Sequence, residues 1–248
     1  LRRKRPKFSH KGTYGHVLII AGARGKRGAS ILAASGALRA GAGLVTVHTD
    51  MEGANPLHTA VPEAMVSIDE ADDGFSAHPP LSPFDAIAVG PGLGTSDRTA
   101  RALKILIQEA NVPLIIDADA LNILAENPTW LAFLPQGSIL TPHPGEFARL
   151  MGRQASHSEN VRKQAELSKK HQIHIVLKGA NTSTSLPDGQ VVFNTTGNPG
   201  MATGGMGDAL TGIIASKCAR CRPVPPRWPR RPASAAGCGC AAWCGTGR

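Results

Sequence analysis

Residues 194–212 read NTTGNPGMATGGMGDALTG and set Gly197, Gly200, Gly204, Gly205, Gly207 and Gly212 around one acid, Asp208. Only glycine takes positive φ without steric cost and lets another group approach the backbone closely, so this density implies chain folded tightly around something. Residues 208–217 have helical character, which puts residues 204–207 at a helix N-terminus. Free amide N–H groups there, aligned with the helix dipole, make a site for phosphate or a developing oxyanion. No Gly-Lys-Ser/Thr follows, so this is not a P-loop. Asp208 can serve as a helix cap or as a general base. A cap alone does not call for the glycines in front of it.

Such chemistry needs a frame to hold it. Residues 15–22 read as a buried strand running into a glycine turn, 29–40 as a helix and 43–48 as a second strand, a βαβ unit. The alternation returns with strand 86–90, helix 98–110, strand 113–117, short helix 120–125, strand 138–141, helices 145–151 and 159–171, and strand 173–178. Segments 182–186 and 190–194, joined by Pro187-Asp188-Gly189, read as a hairpin that adds antiparallel edge strands. Residues 72–83 read as a loop, and no internal repeat is present. The fold class is therefore α/β, a mostly parallel central sheet flanked by helices on both faces. In such a sheet ligands sit outside the carboxyl ends of the strands. Segments 22–28, 90–94, 117–122, 141–146, 178–182 and the loop before Asp208 all follow strands and share that edge.

The formal net charge of +9 is concentrated at the two ends. Residues 1–11 and 217–248 hold basic side chains and no acid, so the body between them carries more acids than bases. Such a distribution argues against nucleic acid as the partner, since its binders show a basic face with a reading element. A hydrophobic fraction of 42% fits a globular domain, and the longest apolar runs are too short to span a bilayer. All five cysteines lie in the last 32 residues, so the body needs no disulfide and suits a reducing cytoplasm. Cys218-x-x-Cys221 with Cys238-x-Cys240 lacks the paired spacing and the histidine of a zinc site. The expected organisation is a basic linker or truncated N-terminus over 1–11, one domain over 12–216, and an aberrant Arg/Pro/Cys-rich tail over 217–248 with the look of a shifted reading frame.

Seven motifs in order carry a resemblance: Lys11-Gly-Thr-Tyr-Gly15, Gly41-Ala-Gly-Leu-Val45, Gly90-Pro-Gly-Leu-Gly94, Asp117-Ala-Asp-Ala-Leu-Asn122, Leu140-Thr-Pro-His-Pro-Gly-Glu146, Val176-Leu-Lys-Gly-Ala180 and the loop from Gly197 to Asp208. Residues 11–216 resemble the ADP- or ATP-dependent NAD(P)H-hydrate dehydratases, a branch of the ribokinase-like three-layer αβα fold. The resemblance implies metabolite repair: the ring hydroxyl of the S-epimer of hydrated NADH or NADPH is phosphorylated by the nucleotide, and phosphate then leaves. It makes Asp208 the catalytic base. Substrate contacts fall on Ala29, Gly92, Gly94, His143 and Asp208, and nucleotide contacts on Lys178, Gly179, Ala180, Asn181, Thr182, Gly204, Gly205, Met206 and Gly207. Glu146 would organise Mg²⁺ through water, and Asp117, Asp119 and Asn122 would line the same cleft, the last two with capping as the plainer use. The resemblance also implies a cytoplasmic homo-oligomer and an epimerase domain as a frequent upstream fusion partner. In the family further helices, with a histidine-glycine stretch, follow the one that begins at Asp208; here the sequence from Lys217 onward departs from that pattern.

Two other readings compete. Gly22-x-x-Gly25-x-x-Gly28, with Asp50 after the second strand, mimics the dinucleotide fingerprint of oxidoreductases, but Gly-x-Gly is absent and the Asp208 loop is left unexplained. A small-molecule kinase of the same fold would release a stable phosphorylated product, and an inactive nucleotide-binding remnant would bind without turnover.

Overall fold

A computed structural model describes residues 5–71 and 74–221. Residues 1–4 of the basic start, 72–73 of the expected loop and 222–248 of the expected tail lie outside the described residues.

Strand β1 (His16–Ile20) is followed by helix α1 (Gly28–Arg39), β2 (Leu44–Thr49), α2 (Met51–Ala60), β3 (Met65–Ile68), β4 (Ala86–Val89), α3 (Asp97–Glu109), β5 (Leu114–Ile116) and α4 (Ala118–Glu126). Then come β6 (Ile139–Leu140), α5 (Pro144–Met151), α6 (His157–His171), β7 (His174–Leu177), β8 (Ser183–Ser185), β9 (Val191–Phe193) and α7 (Met206–Cys221). The strands form one sheet in the order β3-β2-β1-β4-β5-β6-β7-β8-β9. Pairs from β3 through β7 are parallel, and β8 and β9 add antiparallel at one edge, as the hairpin reading expects.

The central strands β1, β4, β5 and β6 are buried on both faces, and their alternation sorts the core into two layers. On β1, Val17 and Ile19 face the layer of Ala33, Ala37, Leu57, Ile214 and Ala215 from α1, α2 and α7. Leu18 and Ile20 face the layer of Leu103, Leu106, Leu121, Leu124, Phe147 and Leu167 from α3 to α6. The three-layer arrangement thus follows from period-2 patterning with apolar residues on both sides. On β4 the side chains toward α1 and α7 are Ala86 and Ala88, and those toward α3 and α4 are Ile87 and Val89. Small residues leave room for a tight helix pair.

That pair is α1 with α7. A Cβ added at Gly212 would stand 1.9 Å from the Ala33 carbonyl oxygen, and one at Gly36 would stand 2.5 Å from that of Ala209. The backbones cross in direct contact, which seats the start of α7 beside the middle of α1, from Leu32 to Gly36.

Two elements, α2 and β3, were not expected from the sequence. Met51–Ala60 contains Gly53, Asn55 and Pro56, all poor helix formers. Asp50 caps it by accepting the Gly53 amide at 2.7 Å, and Leu57 is fully buried beneath it. Tertiary packing overrides propensity here. Helix α7 begins at Met206, two residues before the expected start, and continues past the expected boundary at 216 to Cys221, with Ala215, Cys218 and Ala219 buried. Among the described residues no helix is long and apolar enough to cross a membrane.

Candidate active site

The sheet order turns back on itself between β1 and β4, so the loops leaving these strands diverge and open a crevice at the carboxyl edge. The two loops are laced together by Gly22 N–H to Pro91 O at 2.9 Å and Ala23 N–H to Gly92 O at 2.7 Å. Gly92, at φ 58°, lies against the start of α1: a Cβ there would be 2.9 Å from that of Lys26 and 3.2 Å from that of Ala29. Asp119 ties the same loops from the side, its Oδ2 accepting the Gly94 amide at 2.8 Å and Lys26 Nζ at 3.0 Å. Ala29, Gly92 and Gly94 are thereby brought together, and Asp119 braces loops instead of capping α4. Asn122 accepts from Arg149 Nε at 3.0 Å.

The second half of the site gathers at the ends of β5, β6 and β7. Thr141 N–H bonds Ile116 O at 3.1 Å and Lys178 N–H bonds Pro142 O at 2.8 Å, which fixes these loops in register. His143 caps α5, its Nδ1 accepting the Gly145 and Glu146 amides at 3.0 and 3.3 Å. Glu146 answers by accepting the His143 amide at 2.8 Å, a capping box with Pro144 at the first helical position. With Nδ1 accepting, the ring proton belongs on Nε2, which faces Glu146 Oε1 at 3.3 Å. Glu146 is buried, and its Oε2 lies 4.0 Å from Lys178 Nζ. The capping role and the placement of both residues at the site edge therefore hold together.

Lys178 Nζ donates to Asp117 Oδ1 at 2.8 Å, and Thr211 Oγ1 on α7 donates to Asp117 Oδ2 at 2.7 Å. A Cβ built on Gly207 would be 3.7 Å from both Lys178 Nζ and Asp117 Oδ2, so the ion pair sits directly under the first turn of α7. The first intrahelical bond of α7 is Ala209 N–H to Gly205 O. The amides of Met206, Gly207 and Asp208 therefore stand at an open helix N-terminus. Gly205, at φ 87°, touches Leu32 one turn into α1. Gly204 is exposed with no neighbour near its Cα face. Gly179, Ala180 and Asn181 are exposed, Thr182 Oγ1 donates to Gly179 O at 3.1 Å, and Gly197 packs onto Ala180. The beginning of the glycine loop thus meets the 178–182 segment.

Asp208 occupies the first turn of α7, half-buried, and its carboxylate accepts no hydrogen bond among the described residues. Burial first, and then the charge of Asp117, raises its proton affinity above that of an ordinary aspartate, with Lys178 opposing. An unpartnered carboxylate with raised proton affinity, beside an ammonium and free helix amides, can take a proton from a hydroxyl while a phosphoryl group is held at the helix mouth.

Three features emerge only in the fold. Lys178 and Thr211 meet Asp117 across 61 and 94 residues of chain, and no local signal marks that junction. Arg27 makes a two-pronged ion pair with buried Asp50 at 3.0 and 2.8 Å, so Asp50, the acid of the oxidoreductase fingerprint, is spent on Arg27 and on capping α2. A narrow crevice at the ends of β1 to β3 is lined by His48, Asp50, Asp69 and Phe75. Burial works against the charge of Asp69, but donors from Ser76, Ala71 and His48 hold its carboxyl below the usual range. Those groups satisfy one another, which marks a structural network.

A family model described as NAD(P)H-hydrate dehydratase matches residues 17–243. The bifunctional NAD(P)H-hydrate repair enzyme of Moorella thermoacetica is 43% identical over 222 residues, which are 86% of this chain and 42% of that protein. The ADP-dependent (S)-NAD(P)H-hydrate dehydratase of Lactiplantibacillus plantarum is 39% identical over 217 residues, 85% of this chain and 74% of that protein. This chain thus spans less than half the length of the bifunctional relative. Among solved structures, a ribokinase-like superfamily protein from Enterococcus faecalis superposes with a TM-score of 0.73 at 36% identity, covering 88% of this chain and 75% of that one. The ADP/ATP-dependent NAD(P)H-hydrate dehydratase of Bacillus subtilis, co-crystallised with ATP/Mg²⁺, gives 0.72 at 34% identity over 87% and 76%. The three-layer fold is therefore ribokinase-like.

Proposed function

The chain belongs to the NAD(P)H-hydrate dehydratase family, and from that premise we propose that it dehydrates the S-epimer of hydrated NADH or NADPH at the expense of ADP or ATP. One observation carries the reading: the free Asp208 carboxylate stands in the first turn of α7, next to the open amides of that turn and the Lys178–Asp117 pair.

The chemistry follows from that placement. The ring hydroxyl gives its proton to Asp208 as its oxygen forms a bond to the terminal phosphorus and the bond to the nucleotide breaks. The amides of Gly204, Gly205, Met206 and Gly207, with Lys178, hold the charge on the transferred group. Phosphate then departs with the C–O electron pair, driven by the ring nitrogen, and loss of the adjacent C–H proton restores the dihydronicotinamide. Hydroxide is a poor leaving group and phosphate a good one, which is why a dehydration would consume nucleotide. Ala29, Gly92 and Gly94 form the small-residue wall against which the dinucleotide lies, and His143 borders it. Residues 178–182 take the nucleotide phosphates.

The residues fit a Mg²⁺ that arrives with the nucleotide. Among the described residues no three His, Cys, Asp or Glu side chains form a metal cage, and Glu146 turns a buried carboxylate toward Lys178. That donor set suits an ion bound by phosphates and water, with Glu146 as an outer-sphere anion. Bound there, Mg²⁺ would offset phosphate charge.

Incubation with hydrated NADH tests the reading. Dihydronicotinamide absorbance should return only when ADP or ATP and Mg²⁺ are present, with one AMP or ADP formed per NADH. Return without nucleotide, or accumulation of a stable phosphorylated product, would refute it.

A further inference from the structure

The structure assigns Asp117 a positioning role: by binding Lys178 and Thr211 it keeps the Lys178 ammonium from pairing with Asp208, so that the base stays free until substrate arrives. This rests on the reading of Asp208 as the base.

Asp117 immediately precedes α4, where an aspartate ordinarily accepts an amide of the first turn. It makes no such bond. The next residue, Ala118, is held at φ 48°, in the left-handed region that strains a residue with a Cβ. The chain thus forgoes a cap and accepts strain at one turn, and the result is an Asp117 carboxylate turned to α7 and Lys178. Its side chain is 2% exposed, and both oxygens are engaged, Oδ1 by Lys178 and Oδ2 by Thr211. Thr211 follows Asp208 by three residues, so both lie on one side of α7. The Thr211 hydroxyl has a single proton, and the carboxylate at 2.7 Å outcompetes the Gly207 carbonyl at 3.1 Å for it.

Asp117 and Asp208 are therefore two carboxylates flanking one cation. The charged groups acting on Asp208 are Asp117, at the end of β5, and Lys178, at the end of β7, with Glu146 behind Lys178. With Asp117 in place, Lys178 donates to Asp117 Oδ1 at 2.8 Å and, among the described residues, makes no hydrogen bond to Asp208. Without it, the ammonium keeps Glu146 at 4.0 Å behind it, and the acid it meets on α7 is Asp208. An Asp208–Lys178 ion pair would lower the proton affinity of the base and withdraw Lys178 from the phosphoryl group.

The test uses the full chain as wild type, Asp117→Asn, Lys178→Met and the double variant. In Asp117→Asn the acid limb of the kcat/KM profile should move to lower pH by about one unit, with kcat down about 100-fold. In the double variant the limb should return toward that of wild type, with kcat no lower than in Lys178→Met alone. An unmoved limb in Asp117→Asn, strictly additive losses, or recovery of Asp117→Asn by excess Mg²⁺ would overturn the assignment. Titration of Asp208 by ¹³C-carboxyl NMR reads the same shift without substrate. A wild type that leaves hydrated NADH untouched would sink the proposed function, while the NMR titration still decides the role of Asp117. Should Asp117→Asn fail to fold, Lys178→Met alone must raise the Asp208 titration, and a fall or no change would overturn the proposal.

Discussion

Asp208 is asked for opposite things by folding and by chemistry. A base needs proton affinity, which burial and Asp117 supply, yet the same surroundings make the ionised carboxylate costly in the folded chain. The sign follows from linkage: a carboxyl whose folded proton affinity exceeds its unfolded one adds stability at pH below the unfolded value. That stability is lost as pH rises through the folded value. Asp208→Asn should therefore melt higher than wild type at neutral pH, with the gap closing below the ordinary carboxylate range; melts at the two pH values check this. The same variant should lose about 10²–10⁴-fold in turnover. Wild-type kcat/KM should likewise fall on acidification at a pH above the ordinary aspartate range, since the protonated base is inert. Asp208 was legible in the sequence because it is the one acid in a run of glycines. Asp117 was legible only as a residue lining the cleft, because its partners Lys178 and Thr211 are distant in sequence and meet only in the fold.

Helix α7 carries the base, and its seat on α1 decides where that base points. At Gly212 an added Cβ would fall 1.9 Å from a backbone oxygen of α1, and a backbone cannot swing aside as a flexible side chain can. Gly212→Ala should therefore destabilise by about 1–3 kcal/mol and cut turnover, as α7 shifts and carries Asp208 with it. Gly204, with nothing within 4 Å of an added Cβ, provides the contrast. Gly204→Ala should leave stability within about 0.5 kcal/mol while crowding the space for phosphate. Thermal melts beside steady-state kinetics separate the two. Helices and strands with clean periodicity are legible close to their observed bounds, α3 and β4 among them. Helix α2 was missed because Gly53, Asn55 and Pro56 read as loop, while the forces that fold it, the Asp50 cap and the burial of Leu57, come from the sheet beneath. Strand β3 was missed because it is four residues long with both ends exposed, so it shows no buried pattern.

Across the whole molecule the motifs divide between two ends of the sheet. Five gather at the carboxyl edge, around the switch between β1 and β4 and the ends of β5 to β7. The remaining two, Lys11–Gly15 and Gly41–Val45, meet at the opposite edge. An added Cβ at Gly43 would lie 1.7 Å from the Lys11 carbonyl, and one at Gly15 would lie 2.7 Å from Ala219 on α7. These glycines serve close packing far from Asp208, so a motif's presence in the sequence does not by itself make it part of the site. The carboxyl-edge site is assembled from segments distributed from the end of β1 to α7, and a ligand bridging them must stabilise the fold as one body. ADP with Mg²⁺ at a hundredfold excess over its Kd should raise stability by about 2.7 kcal/mol, read as a higher melting temperature. Asp208→Asn should keep that shift, because its carboxylate acts on the hydroxyl and not on the nucleotide. Lys178→Met should lose most of it, because the ammonium under α7 is the charge that answers phosphate. A shift lost in Asp208→Asn and kept in Lys178→Met would exchange the two roles, making the acid part of nucleotide binding and leaving the site without its base.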